Sequence, residues 1–499
     1  MKKSTKITLW VVGVLVGLII VCVFCADVWV SRYAEKRVRA ELEKAQLPYE
    51  IDFNHIHVLL MTGCVDVTDI TFAAGRKSLK EAGLDTVYVQ IPHLQVLNFR
   101  YGKLLRDKEV AVRAVDVRKM TAKLKVTKTK MYVEADSLSV HVTDLSYNLK
   151  DSTFGYNDSV YSLSLERVLL KVPESYMAIE AQNIETSNGG EVKLGKTRIW
   201  NNVGKRQLGN IMKEPTTWID LKLKSVELAP INPFRTDFSK GLHMPKVTLR
   251  GESLEALRDV RFPPKHPYPM PQEVLMQLKF PIQVDALDAQ LKAINVEVLC
   301  TDKNMGTLSI KDLQANVRDF SNKRGSTAKM KVSGKLGTGT IGGDINLHMN
   351  KTSDFDAFLH GKGIDTKETH SLIRPLAAIE LNCMIDSMKI KFKGDNKAIN
   401  GDMLLAYHGL NGKVYSQDDI PFKIISKNAG ALEYFVNHLI PKSNPRAGVK
   451  EPMAYKVQYA RKEMEPFPLY MCMPLIMGCV ETFLPGFFVS KKVSKDALQ

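Results

Sequence analysis

Residues Phe280–Cys300 read FPIQVDALDAQLKAINVEVLC, and their apolar and polar side chains alternate in two phases. The apolar set is Leu287, Ala289 and Leu291 before Lys292-Ala293, and Ile294, Val296 and Val298 after it. A period of two places successive side chains on opposite faces of a strand. The pattern therefore predicts two short strands, or one strand with a bulge, that bury a single face.

The same alternation recurs along most of the chain. GTLSIKDLQANV (306–317) also changes phase, and MKIKFKGDNKAINGDMLLAYHGL (388–410) predicts a hairpin with its turn near Gly394-Asp395-Asn396. Helical patterns after the N-terminus are few and short. We therefore expect a mainly β protein, with an N-terminal transmembrane helix followed by an elongated antiparallel β-sheet structure. We expect that sheet to curve into a groove and to carry a few short helices.

Shifts in composition predict seven segments. They are a cytoplasmic tip (1–6), a transmembrane helix (7–30), a juxtamembrane helix (31–48), an N-terminal β-rich region (49–260), a Pro-rich connection (261–271), a C-terminal β region (272–425) and a helical, apolar tail (426–499). The connection reads RFPPKHPYPMP. Proline neither continues a helix nor completes the hydrogen bonds of a central strand, so this stretch marks a boundary.

The N-terminus predicts a membrane anchor. Residues 7–26, ITLWVVGVLVGLIIVCVFCA, carry no charge, and about 20 helical residues span roughly 30 Å, the thickness of a bilayer's hydrocarbon core. A cleaved signal peptide, the alternative, has a shorter apolar region and small residues before the cut, whereas Phe24 and Cys25 precede Ala26 here. The predicted anchor residues are Trp10, Val14, Leu18, Ile19, Ile20 and Phe24.

Charge and location together predict the partners. The 70 basic and 54 acidic side chains give 70 − 54 = +16, and the basic residues are scattered rather than gathered in a block. Lys2, Lys3 and Lys6 favour a cytoplasmic N-terminus, which in a bacterium places the bulk of the chain in the periplasm. We therefore expect a single-pass protein of the inner membrane that meets lipid headgroups and no nucleic acid.

Sequence motifs for catalysis and metal binding are lacking. His55 and His57 share a strand face but have no third ligand nearby, and GKLGTGTIGG (334–343) lacks the Gly-Lys-Ser/Thr ending of a phosphate loop. Seven cysteines, an odd number, do not form a disulfide scaffold in a chain of this size. We expect no enzyme activity, no catalytic residues, no metal and no cofactor.

The C-terminal tail is unusually apolar. Between Pro466 and Val489 its only charge is Glu481. The tail either caps the end of the β core, contacts a membrane or a partner protein, or forms a second span that Pro474 and Pro485 would interrupt. The residues predicted to make a membrane or partner contact are Leu469, Ile476, Phe483, Phe487 and Phe488.

Four stretches carry a family resemblance. They are IDFNHIHVLLMTGCVDVTDITF after the anchor, MPQEVLMQLKFPIQVDALDAQL with GTLSIKDLQANVRDFSN, FDAFLHGKGID with the hairpin at 388–410, and NPRAGV before the tail. These stretches resemble the AsmA-like envelope proteins, especially their shorter Bacteroidota-type members. The resemblance implies one N-terminal span in the inner membrane, a β-rich periplasmic part and an AsmA-like C-terminal β region. It also implies a link to phospholipid conduction along a groove and to outer-membrane assembly, and it supplies no catalytic residues.

Two functions follow as expectations. The first is an envelope-biogenesis protein that binds or conducts phospholipid between the inner and outer membranes along an apolar groove. The candidate groove residues are Val284, Leu291, Val296, Val298, Ile390, Phe392 and Leu405. The alternative is a structural factor with a filled core and no lipid, which assists outer-membrane protein assembly or targeting through other envelope proteins.

Overall fold

The computed structural model describes residues 3–44, 49–74, 79, 84–150, 153–155, 161–188, 190–229, 241–415, 429–462 and 464–483. The prediction of a mainly β protein with a long antiparallel sheet and few helices is confirmed. The chain divides into two compact units, the first formed by residues 1–197 and 230–235 and the second by 198–229 and 236–499. The Pro-rich connection at 261–271 lies inside the second unit.

The first unit begins with a long helix and continues as an antiparallel sheet. Its elements are α1 (Lys3–Lys44), β1 (Tyr49–Asp52), β2 (His55–Leu59), β3 (Cys64–Ala74), β4 (Leu84–Phe99), α2 (Tyr101–Asp107), β5 (Glu109–Val126), β6 (Tyr132–Asn148), β7 (Thr153–Gly155), β8 (Tyr161–Val172), a 3-10 turn (Pro173–Ser175), β9 (Met177–Ser187) and β10 (Val192–Leu194). Strands β1 and β2 both pair with β3, and the pairing continues through β4, β5, β6, β8 and β9.

The C-terminal half of α1 packs against the first strands. Phe53, Ile56 and Val58 are buried against Val30, Ala34 and Leu42 of the helix. The Val58 N–H donates to Ser31 Oγ at 2.8 Å, and Arg39 donates to the Phe53 carbonyl oxygen at 2.6 Å. The helix is therefore joined to the sheet by apolar and polar contacts together.

The N-terminal half of α1 contains the predicted anchor. The side chains of Trp10, Val14, Leu18, Ile19 and Ile20 lie outside the described part of the protein, whereas Phe24 is described and exposed. Within the described residues, no helix combines the length and the apolar character needed to cross a membrane.

The second unit is also a sheet, with helices on part of it. Its elements are β11 (Thr197–Asn201), which starts at the last residue of the first unit, α3 (Gln207–Met212), β12 (Thr216–Leu228), β13 (Leu242–Asp259), α4 (Pro271–Met276), β14 (Ile282–Thr301), β15 (Asn304–Ser321), β16 (Thr327–Leu336), β17 (Gly339–His348), β18 (Phe355–Asp365), a 3-10 turn (Thr366–Thr369), α5 (His370–Ala377), β19 (Ile379–Gly394), β20 (Ala398–Val414), α6 (Ala429–His438), β21 (Ala454–Ala460) and α7 (Phe467–Phe483). The predicted hairpin is confirmed as β19 and β20, which pair from Gly394 and Ile399 onward.

The pairing of β13 with β14 departs from the expected antiparallel order. Strands β13 and β14 are parallel, from Leu242 opposite Ile282 to Asp259 opposite Leu299. Parallel neighbours need a crossover rather than a tight turn, because the chain must return to the same end of the sheet. The stretch between them, residues 260–281, supplies this crossover, and it contains both the Pro-rich connection and α4.

Single residues in the left-handed conformation mark several of the phase changes seen in the sequence. Five such residues have φ between 50° and 58°; they are Asp69, Lys119, Ser137, Asn183 and Asp312. Each lies within a strand where the apolar side chains switch between odd and even positions. The opening stretch itself is one continuous strand, β14, and its register with β15 is unbroken from Ala286 to Leu299.

A closed core lies at the C-terminal end of the second unit. Helices α6 and α7 pack on one face of the sheet formed by β18 to β21, and Tyr470, Val436 and Ile440 from this region join the buried cluster. Phe355 is the centre of an aromatic group, with ring centroids 6.4 Å from Phe392 and 5.9 Å from Tyr470. The described part of the tail therefore caps the β core.

Candidate functional site

Two rows of apolar residues cross the second unit at right angles to its strands. Directly paired residues of neighbouring strands lie on the same face of a sheet, so the pairing identifies each row. One row is Val226, Leu249, Ala289, Ala315, Val332, Gly343, Leu359, Ile390, Met403 and Tyr455. The other is Leu228, Val247, Leu287, Val317, Met330, Ile345, Ala357, Phe392, Gly401 and Val457. We call these two rows the apolar stripe.

The stripe is covered at one end and half-buried in the middle. On β18 to β21, helices α6 and α7 bury it in the closed core. On β14 to β17, its side chains remain partly accessible; these are Leu287, Ala289, Ala315, Val317, Met330, Val332 and Ile345. Helix α5 reaches this face near the start of β15, where Leu372 lies against Gly306. The middle of the stripe is thus an apolar surface that water can reach.

The half-buried part of the stripe is about as wide as half of a bilayer's hydrocarbon core is thick. Four strands spaced ~4.8 Å apart cover roughly 14 Å. Half of a bilayer's hydrocarbon core is about 15 Å thick. An extended acyl segment laid across β14 to β17 would therefore meet apolar side chains over much of its length.

A depression of about 650 Å³ follows the line where the strands change phase beside the stripe. Its apolar lining includes Leu291, Leu313 and Ile341, and its glycines include Gly251. A Cβ on Gly251 would lie 2.2 Å from a Leu291 methyl carbon, so any larger residue there would displace the Leu291 side chain. The rim carries the charged side chains Arg250, Lys292 and Lys335.

The predicted groove residues fall into two groups. Val296 and Val298 are half-buried opposite Leu308 and Gly306, and Leu291 is half-buried opposite Leu313. Val284 is buried at one end of β14.

The remaining three predicted groove residues are not on an open surface. Ile390, Phe392 and Leu405 are 0%, 1% and 0% exposed and belong to the closed core beneath α7. They occupy the covered end of the sheet, where a folded helix takes the place that a lipid chain would need.

Several residues of the half-buried stripe were not among the predicted groove residues. Met330 and Val332 alternate with Lys329 and Lys331 in the stretch AKMKV, a clear period of two. This alternation was sufficient to place them on one face of a strand. Which neighbours they would meet depends on strand pairing, which the alternation does not contain.

The candidate contact residues of the tail lie on the outer side of α7 where they are described. Leu469 and Ile476 are 39% and 42% exposed, while Tyr470, Met471 and Leu475 face the core between them. The side chain of Phe483 and residues Phe487 and Phe488 lie outside the described part of the chain. Helix α7 is therefore apolar on its core side and also in part on its solvent side.

Cysteine reactivity is expected to report this packing. Cys472 is exposed on α7, whereas Cys300 and Cys383 are buried. Burial raises the pKa of the Cys300 and Cys383 thiols to about 11, and desolvation also raises the pKa of Cys472. The exposure of the Cys472 side chain, rather than its pKa, therefore sets it apart from the two buried cysteines. We expect N-ethylmaleimide to modify Cys472 in the native protein while Cys300 and Cys383 react only after unfolding, as measured by peptide mass spectrometry. Modification of Cys383 at the rate of Cys472 would contradict the closed core.

The polar faces carry pairs of charged groups. In the first unit, a depression of about 620 Å³ contains His141, whose Nδ1 lies 2.6 Å from Asp116 Oδ1. His55 and His57 are neighbours with ring centroids 6.1 Å apart. Among the described residues, no group of three or more histidine, cysteine, aspartate or glutamate side chains is placed to hold a metal ion. The absence of enzyme activity stays a prediction.

Comparisons with family models, with curated proteins and with solved structures give no match to this chain. The function is therefore argued from the stripe and its surroundings.

Proposed function

We propose that this protein is a membrane-anchored envelope protein of the AsmA-like type that binds phospholipid acyl chains along the apolar stripe. The observation that carries the proposal is the half-buried run of apolar side chains across β14 to β17. Each methylene removed from water contributes about 0.8 kcal/mol, so one acyl chain on this surface would be held by several kcal/mol. The closed core at β18 to β21 ends the lipid-binding surface on that side.

The proposed location follows from α1. Residues 7–30 would cross the inner membrane, and the rest of the chain would lie in the periplasm with the N-terminus in the cytoplasm. Helix α1 extends without interruption from Lys3 to Lys44 and packs on β1 to β3. A span of this kind would hold the sheet close to the bilayer from which lipid is drawn.

Site-specific photo-crosslinking tests the proposal in the full-length protein. A benzophenone amino acid at Val332 is expected to capture phospholipid in cells, because Val332 lies on the stripe. The same group at Lys331 is expected to capture none, because Lys331 is exposed on the opposite face. The adduct is measured by mass spectrometry of the purified protein. Equal lipid capture at both positions, or none at Val332, would overturn the proposal.

A charge placed in the stripe is expected to reduce that capture. Ala315 pairs with Ala289 and Val332, and Ala315→Glu would force an acyl chain to desolvate a carboxylate. We expect the lipid adduct at Val332 to fall about tenfold or more. Asn316→Glu is the matched control, since Asn316 is the next residue and is exposed on the other face. A similar loss in both variants would show that the stripe is not the binding surface.

One observation favours a second candidate function, an interaction factor for outer-membrane protein assembly. The exposed apolar residues Leu469 and Ile476 on α7 offer a contact surface for another envelope protein. Crosslinks from position 476 to a single protein, together with no lipid at Val332, would support this function instead.

A further inference from the structure

The outer face of the closed end carries five lysines on three strands, which are the neighbours β18 and β19 and the further strand β21. Lys362 lies on β18, Lys389, Lys391 and Lys393 lie on β19, and Lys456 lies on β21; all five are exposed. On β19 they alternate with Ile390 and Phe392, which point into the core. We call these five residues the lysine face.

The lysines of the lysine face are not ion-paired, unlike other lysines of this sheet. In the second unit's described residues, none of the five lies within ion-pair distance of a carboxylate. On β16, by contrast, three lysines of the same sheet are each paired: Lys329 with Asp319 at 3.2 Å, Lys331 with Asp344 at 3.8 Å and Lys335 with Asp312 at 2.8 Å. Asp356 lies directly opposite Lys393, and Asp402 lies directly opposite both Lys391 and Lys456, but neither carboxylate forms an ion pair with them. Five lysines outnumber these two carboxylates, so the face keeps a net positive charge, whereas each of the three β16 lysines has its own carboxylate partner.

Apolar side chains lie among these charges. Phe358 on β18 is directly opposite Lys391, and Leu404 on β20 is directly opposite Lys389. Both are only half-buried. The aliphatic parts of the lysine side chains surround an aromatic ring and a leucine. Such a mixed surface suits the headgroup region of a bilayer, where charged groups and apolar atoms lie side by side.

The platform beneath the lysine face is rigid. Ile390, Phe392 and Met403 on its reverse side are almost fully buried beneath α7. The lysines repeat about every 7 Å along β19, and neighbouring strands are ~4.8 Å apart. A broad, firm array of this kind matches a flat anionic surface better than a narrow peptide.

We propose that the lysine face docks onto the surface of a bilayer that contains anionic phospholipid. This goes beyond lipid binding in the stripe and depends only on charge and exposure at the outer face. Each lysine near an anionic bilayer strengthens association several-fold, and the attraction falls as salt is added. Docking would hold the covered end of the stripe against a membrane surface.

Vesicle flotation tests the docking. The full-length protein, held in phosphatidylcholine nanodiscs, is mixed with vesicles of phosphatidylcholine and phosphatidylglycerol or of phosphatidylcholine alone. Binding is expected only with the anionic vesicles. The triple variant Lys389→Gln, Lys391→Gln and Lys393→Gln is expected to bind about 100-fold more weakly. The corresponding triple Lys→Arg variant should retain binding, since it keeps the charge.

The matched control is the triple variant Lys329→Gln, Lys331→Gln and Lys335→Gln. It removes the same net charge from paired lysines of the same sheet, and we expect less than about a threefold loss. Equal losses in the two Gln triples would overturn the proposal in favour of net charge alone. Equal binding to neutral vesicles, or preferred binding to a polyglutamate peptide, would also overturn it.

Failure of docking can be distinguished from failure of lipid binding. Ala315→Glu should leave vesicle flotation unchanged, and the β19 Gln triple should leave the lipid adduct at Val332 unchanged. A variant set in which both readouts fall together would contradict a separate docking surface.

Discussion

Phe355→Ala is expected to lower the free energy of unfolding of the second unit by about 3–5 kcal/mol. Phe355 is 1% exposed, and its ring meets those of Phe392, Phe467 and Tyr470, with the nearest centroid at 5.6 Å. Truncation removes all three ring contacts and leaves a cavity between the sheet and α7. Urea unfolding followed by circular dichroism, with hydrogen exchange of the peptides from β18 to β20, measures the loss.

Phe358→Ala is the matched control for the closed core. Phe358 lies three positions along the same strand but on the outer face, where it is half-buried beside His360. We expect it to cost about 1 kcal/mol or less, because truncation on the outer face leaves no enclosed cavity. Equal costs for the two truncations would mean that α7 does not close the core over Phe355.

Asp259→Ala is expected to lower the free energy of unfolding by about 3 kcal/mol. Asp259 is 1% exposed at the end of β13, and it accepts hydrogen bonds from Arg261 Nε at 3.0 Å and Arg261 Nη2 at 2.7 Å. The hydrogen bonds to Asp259, and then those to Asp302, raise the pKa of the Arg261 guanidinium. Among the described residues, removing Asp259 leaves this largely buried cation with the exposed Asp302 as its one remaining ion-pair partner.

The Asp259–Arg261 pair stabilises the start of the crossover, and an exposed carboxylate in the same unit serves as the control. Arg261 is the first residue of the Pro-rich connection, and it also donates to Asn210 Oδ1 at 3.1 Å, so the pair holds the start of the crossover in place. Asp285→Ala removes a carboxylate of similar charge that pairs with His243 at 2.8 Å in an exposed position. We expect that control to cost less than about 1 kcal/mol. Thermal or urea unfolding that gave equal losses would show that Asp259 is not a buried charge partner.

Strand content followed from local pattern alone. The alternation in MKIKFKGDNKAINGDMLLAYHGL predicted β19, its turn and β20 correctly, since both the period and the turn residues are local. Some phase changes seen in the sequence also arise from the backbone at a single residue. Asp312, for example, takes the left-handed conformation at the point where the apolar side chains of β15 change phase. The prediction of two strands or a bulge at 280–300 was less exact, because β14 continues through its phase change.

The alternation of apolar and polar residues did not predict which strands pair with each other. The parallel contact between β13 and β14 depends on a crossover of about twenty residues, and the antiparallel expectation missed it. The apolar stripe likewise exists only because pairing sets Ala289, Ala315 and Val332 side by side. A one-residue slip in any of these pairs would move the side chains to the other face.

The sequence by itself determined that this chain is built of strands with one apolar face, and which residues share that face. Only the tertiary structure decided which parts of the face are covered. Ile390 and Val298 follow the same alternation, yet Ile390 is sealed under α7 and Val298 stays half-buried. The physical reason is that burial depends on a segment far along the chain, α7 at Phe467–Phe483, whose docking site is set by packing and not by the period of the strand it covers.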